Sequence, residues 1–225
     1  MNKAQTSWER YKSQSVNNWN NYKIYFKTKW KRILAAYIIM LIAFTIIYTI
    51  DQVTKTLLFY HVDVNAMEAA GNSTWYIGNH TGIDPEKIYP SSNEWLKYGI
   101  IGIRSIWHKG VTFMSTNNIV FIQVLSFIIA IGILLVPLYP SKYIYWYAVF
   151  YGILLAGDLG NATDRIAFSG YVKDWFYFPW YDRGTMNFAD VSVIFSVIAI
   201  VITVLTTTII DWNKERKNNK QDIES

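Results

Sequence analysis

The sequence predicts a membrane all-α bundle of four transmembrane helices, with a small extracellular β/irregular lobe between helices one and two. Composition comes first. Of 225 residues, 52% are hydrophobic and only 16% are charged, against roughly 25% charged in an average soluble domain. Second, four apolar runs approach the ~20 residues that a membrane-crossing helix requires. Third, the basic residues gather outside those runs. Lys23, Lys27, Lys29, Lys31 and Arg32 precede the first run, and Lys214, Arg216, Lys217 and Lys220 follow the last.

Residues 1–32 are polar and rich in Asn, Lys, Trp and Tyr. The apolar segment behind them is too long for a signal peptide and has no small-residue cleavage site close after it. They read as a cytoplasmic basic and aromatic extension, with an interfacial amphipathic helix as one form it could take. Trp19, Tyr22, Tyr25, Phe26 and Trp30 suit an interface. The four-span domain covers 33–210, with spans at about 33–50, 119–139, 143–159 and 191–210. A basic cytoplasmic tail, 211–225, follows. Lys and Arg mark cytoplasmic ends, so both termini belong inside, as four spans require. The 140–142 link is then cytoplasmic, and segments 60–116 and 160–189 are extracytoplasmic. Segment 60–116 carries Gly, Asn, Pro and Ser clusters beside short β-favouring pieces at 75–77 and 111–113. No internal repeat is present.

Several chemistries drop out. Without cysteine there is no disulfide, thiol nucleophile or Cys-ligated zinc. His61, His80 and His108 form no H-E-x-x-H pattern, and each reads as a loop or surface residue. The formal net charge of +5 could suggest nucleic acid. Its placement beside the spans points instead to topology and contact with anionic membrane lipids.

The carboxylates converge on the outer face. Asp51 ends span one, Asp158 and Asp164 follow span three, Asp174 and Asp182 lie in the last outer loop, and Asp190 opens span four. Ionisable groups at membrane depth are costly and point to function. Bland readings stand beside that. Asp190 suits a helix N-cap, where the macrodipole favours an anion. Lys55 can pair with Asp51 at i+4, Asp164 can pair with its neighbour Arg165, and Asp174 can be a solvated loop acid. If Asp174 and Asp190 meet among Val172, Trp175, Phe176 and Phe178, they cannot both ionise, and the pair shares a proton. Such a pair suits aspartic proteolysis, one carboxyl activating water and the other donating a proton.

The motifs DQVTK (51–55), HKGVTF (108–113), GNATDR (160–165), VKD (172–174) and MNFAD (186–190) occur in an order that resembles the lipoprotein signal peptidases, or type II signal peptidases. The resemblance covers roughly 33–210. The D-x-x-T-K element alone is weak; the combination of the last three is strong. The resemblance implies a bacterial cell-membrane aspartic endopeptidase acting at the extracytoplasmic face. It implies cleavage of prolipoproteins just before a diacylglyceryl-modified cysteine, without metal or cofactor, by a chain expected to be a monomer. It carries the catalytic pair onto Asp174 and Asp190. Supporting or substrate-binding roles fall on Asn161, Asp164, Arg165, Asn187, Asp51, Lys55 and Gly110. Asp164 is taken as structural or supporting, with catalysis as its alternative.

The chain departs from the family pattern in places. His108 stands for the usual Asn, Ala156-Gly157 for a Gly pair, Asp158 for a small residue and Lys173 for Val, and Met186 begins the last motif. The outer lobe is longer than expected. Rival readings are a non-enzymatic scaffold or ion-path subunit, a lipid-handling membrane enzyme, and an inactive relative that only binds. The first predicts acids spread through the membrane depth rather than gathered at one face.

Overall fold

A computed structural model describes residues 3–59, 96–109, 118–168 and 170–224. Four long helices and three strands account for nearly all of them. Helix α1 spans Lys3–Leu58, α2 Ile119–Leu135, α3 Ile144–Ala167 and α4 Phe188–Glu224. A one-turn 3-10 helix at Val136–Leu138 ends the α2 region, with a proline in its first turn.

Among the described residues, three helical stretches are long and apolar enough to cross a membrane: Gln14–Leu58, Ile119–Leu138 and Phe188–Asn219. Their outward faces carry Leu41, Ile42, Phe127, Ile128, Ile198 and Ile202, all exposed, as lipid contact requires. Helix α3 differs for a physical reason. It packs against all three other helices, so polar side chains on it can face protein instead of lipid. It also runs eight residues beyond the expected span end at 159. The GNATDR motif, expected in an outer loop, is therefore helical.

Nothing in α1 breaks a helix: no Gly or Pro lies between Lys3 and Leu58. The 3–32 stretch is thus continuous with the first span. No kink-forming residue interrupts the helix between the two.

The core joins α1, α2 and α3 through Ala36, Met40, Ala130, Ile133, Ile144, Ala148 and Leu155. Small residues bring backbones close where burial in lipid gives no hydrophobic drive. A Cβ on Gly157 would stand 2.6 Å from the Ala189 carbonyl oxygen. One on Gly160 would stand 2.6 Å from Asp51 Oδ2. Both glycines let α3 meet its neighbours at the level of the acids.

The sheet has strands β1 (Leu96–Tyr98), β2 (Ile101–Lys109) and β3 (Tyr171–Tyr177), in the order β1-β2-β3 and antiparallel throughout. Gly99, at φ +74°, turns the first hairpin. The lobe was expected between the first two spans. Its third strand comes instead from the segment after α3. The expected β pieces at 75–77 and 111–113, and Gly110, lie outside the described residues.

Candidate active site

Asp174 sits in β3 opposite Ile106 of β2. The other edge of β3 is held by the residues that lead into α4. Trp175 N and Phe176 N donate to the Met186 carbonyl, and Met186 N donates back to Phe176 O at 2.8 Å. This short bridge fixes Asn187 and Asp190 against Asp174.

Asn187 is the N-cap of α4, and Asp190 is its third helical residue. Asp190 N donates to Asn187 Oδ1 at 3.0 Å, and Asn187 N donates to Asp190 Oδ2 at 3.2 Å. That reciprocal pair is a capping box. The sequence reading placed the cap on Asp190 itself; the cap is three residues earlier. The consequence is chemical. Asp190 spends one oxygen on its own helix and presents the other, Oδ1, to Asn161 Nδ2 at 2.8 Å.

Asn187 also reaches the second acid. Its Nδ2 donates to Asp174 Oδ1 at 2.7 Å and to Asn161 Oδ1 at 3.0 Å. Asn161 and Asn187 therefore link the two carboxylates from α3 and α4. Asp174 is only 4% exposed. Burial raises its carboxyl well above the ordinary carboxylate range, and the charge of Asp190 pushes it the same way. Both causes favour the protonated form of this carboxyl.

Below this pair lies an ion cluster. Lys55 Nζ is 2.9 Å from Asp51 Oδ2 and 2.9 Å from Asp164 Oδ2, and it donates to Asn161 Oδ1 at 3.1 Å. All three charged groups are about 1% exposed or less. The i,i+4 pairing of Asp51 with Lys55 stands as expected. Asp164 takes Lys55 as its partner, on α1 rather than the next residue of its own helix. Each carboxylate in the cluster also accepts from a backbone N–H. Asp51 Oδ1 accepts from Ala189 N at 2.8 Å, and Asp164 Oδ2 accepts from Lys173 N at 3.2 Å. The cluster thereby positions the first turn of α4 and the start of β3.

Asp174 and Asp190 open onto one cavity of about 480 Å³. Arg165, Asn161, Asp158 and His108 share its polar wall. Ile122, Leu125 and Ile129 of α2, with Val193 and Ile194 of α4, form its apolar wall. Of the residues singled out from sequence, Asp51, Lys55, Asn161, Asp164, Asp174, Asn187 and Asp190 meet in one bonded network, and Arg165 lines the cavity beside it. Gly110 cannot be placed.

Three features escaped the sequence. Ser126 of α2 donates to Asp158 Oδ1 at 2.8 Å. Gln52 donates to Asp51 Oδ2 at 3.0 Å. Arg104 grips Asp182 through two bonds of 2.7 and 2.8 Å and donates to Thr185 at 2.7 Å, holding the loop before α4 against the sheet. The signal for Arg104 was present: a lone arginine in the apolar IGIRSIW run requires a partner.

The chain matches the family described as Signal peptidase (SPase) II over residues 42–206. The chain belongs to that family. Similar curated proteins agree. The lipoprotein signal peptidase of Thermosynechococcus vestitus is 28% identical over 104 residues, 46% of this chain and 65% of that protein. The match thus spans slightly under two thirds of that relative. The lipoprotein signal peptidase of Lactiplantibacillus plantarum is 26% identical over 169 residues, 75% of this chain and 93% of that protein. Among solved structures, a bacterial membrane enzyme determined by the in meso method at 2.3 Å aligns with a TM-score of 0.54 at 22% identity, covering 75% of this chain and 88% of the other. That likeness is one of fold. As a member of the signal peptidase II family with long apolar helices, the protein is a membrane protein.

Proposed function

We propose that this protein is a membrane aspartic endopeptidase that removes the signal peptide from diacylglyceryl-modified prolipoproteins, cutting just before the lipidated cysteine. The observation that carries this reading is the convergence of Asp174 and Asp190 on one cavity, joined through Asn187 and Asn161. Family membership, and relatives named as lipoprotein signal peptidases, support the substrate class.

In the proposed reaction, the two acids flank a water. Asp190, in the ionised form, takes a proton as the water oxygen attacks the scissile carbonyl carbon. Asp174, protonated, donates to the carbonyl oxygen. The tetrahedral gem-diol collapses as the C–N bond breaks: one of its hydroxyls returns a proton to Asp174 as the carbonyl re-forms, and the proton held by Asp190 passes to the leaving amine of the lipidated cysteine. Arg165 and the two asparagines hold the substrate backbone and orient the carboxyls. Asp51, Lys55 and Asp164 are positioning residues. The apolar wall from α2 and α4 takes the signal peptide.

Helix α3 is the fourth span, so both termini lie in the cytoplasm and the acids at the outer face. The 33–210 domain carries the peptidase, with 1–32 and 211–225 as cytoplasmic appendages. A monomer suffices, since one chain supplies every proposed group. Purified protein in lipid should cleave a diacylated precursor and leave the matched non-lipidated precursor intact. Equal cleavage of both, or of neither, contradicts the substrate assignment.

A further inference from the structure

Asp158 stands on the cavity wall where the family pattern places a small residue, and the proposed chemistry does not use it. Ser126 Oγ donates to its Oδ1 at 2.8 Å. Its Oδ2 is buried and has no hydrogen-bond partner. Both side chains line the cavity, beside Ile122, Leu125 and Ile129 of α2. A carboxylate oxygen left unpaired in such a wall costs free energy until something supplies a hydrogen bond. Ser126 is 6% exposed and anchors one oxygen, while the other is left without a hydrogen bond.

The chemistry of the missing partner is restricted. A backbone N–H only donates and a carbonyl only accepts. A hydroxyl does both, so it pairs with Oδ2 whether the carboxyl is ionised or protonated. The charge of Arg165 on the same wall already acts on this carboxyl, so the unfilled bond calls for a neutral donor rather than a second cation. We propose that Asp158, braced by Ser126, is a specificity-determining residue that binds a small hydroxylated side chain, Ser or Thr, of the substrate's signal peptide. This inference rests on the endopeptidase reading for its substrate, and adds a preference that an apolar groove alone would not give. A site built to bond a hydroxyl rejects the analogue lacking it far more strongly than an apolar pocket separates methylenes.

The experiment uses the full chain in lipid and diacylated precursor peptides. Each of the last several residues before the lipidated cysteine is varied in shape-matched pairs, Ser against Ala and Thr against Val. The readout is the ratio of kcat/KM within each pair. Wild type is expected to favour the hydroxylated member at one position by about tenfold or more. Asp158→Ala is expected to bring that ratio to about one, and Ser126→Ala to lower it partway. A wild-type ratio near one at every position overturns the proposal, as does a preference that survives Asp158→Ala. Binding of the same pairs to Asp174→Asn protein separates this inference from the function it rests on. A hydroxyl preference in binding, without cleavage by wild type, retains the Asp158 site and rejects the endopeptidase. Cleavage without preference does the reverse.

Discussion

Two buried carboxylates, Asp51 and Asp164, share the single ammonium of Lys55 at 2.9 Å each. Removing one partner from a buried ionic group typically costs about 3–5 kcal/mol, because the remaining charge is left uncompensated. Lys55→Met is therefore expected to lower the melting temperature in detergent markedly. An unchanged melt would show that the cluster does not support the fold. Asp174 gives a second residue-level test. Its carboxyl is held well above the ordinary carboxylate value by burial, with Asp190 adding to the effect. When the folded value exceeds the unfolded one, the group's stabilising contribution is complete below the unfolded value and is lost as pH rises through the folded value. Asp174→Asn removes that titration. The variant should melt higher than wild type at neutral and alkaline pH, with the gain shrinking on acidification. A melting difference that is the same across the acid and neutral range contradicts the assignment.

At the scale of elements, the site depends on how closely α3 approaches α1 and α4. Gly160 lies at that seam, where a Cβ would press on Asp51 Oδ2 at 2.6 Å and on the Ala189 Cβ at 3.2 Å. Gly160→Ala should destabilise by about 1–3 kcal/mol, the usual cost of overpacking. Gly132 on α2 has nothing within 4 Å of its Cβ position, so Gly132→Ala should be neutral or slightly stabilising. Melting curves of the two variants check the pair; equal effects would refute the seam. Three of the helices were legible because lipid imposes long apolar runs. The acids were legible because charge beside such runs is rare. Strand β3 was not read, although YVKDWFY is aromatic and β-branched between Gly170 and Pro179. Its interfacial look hid its pairing with β2, which lies more than sixty residues earlier and leaves no local trace. The extension of α3 past 159 was missed for a related reason. Its polar turns are tolerated only because three helices surround it, and that packing cannot be seen in a hydropathy run. The shift of the cap from Asp190 to Asn187 is smaller, and Asn-x-x-Asp at 187–190 could have revealed it.

For the whole molecule, an uninterrupted α1 of 56 residues is about 84 Å long at 1.5 Å per residue. The hydrocarbon core is about 30 Å thick, so α1 extends well beyond it on the side carrying Lys23 to Arg32. The end of α4, with Lys214, Arg216 and Lys217, is expected on that same side. Fluorescent-protein fusions at both termini should fluoresce in the cytoplasm, while a periplasm-dependent reporter placed near Gly99 should be active. A reporter active on the outside at either terminus would reverse the topology and put the acids on the wrong face for a secreted substrate. The account stands or falls on the pair of carboxyls at the mouth of α4. The decisive measurement is the turnover of a diacylated precursor by Asp174→Asn, Asp190→Asn and Asp164→Asn proteins of confirmed fold. Loss by about 10²–10⁴-fold in each of the first two, the range general acid–base groups supply, with a smaller loss in Asp164→Asn, is the predicted result. Near-normal turnover in either Asp174→Asn or Asp190→Asn would contradict it.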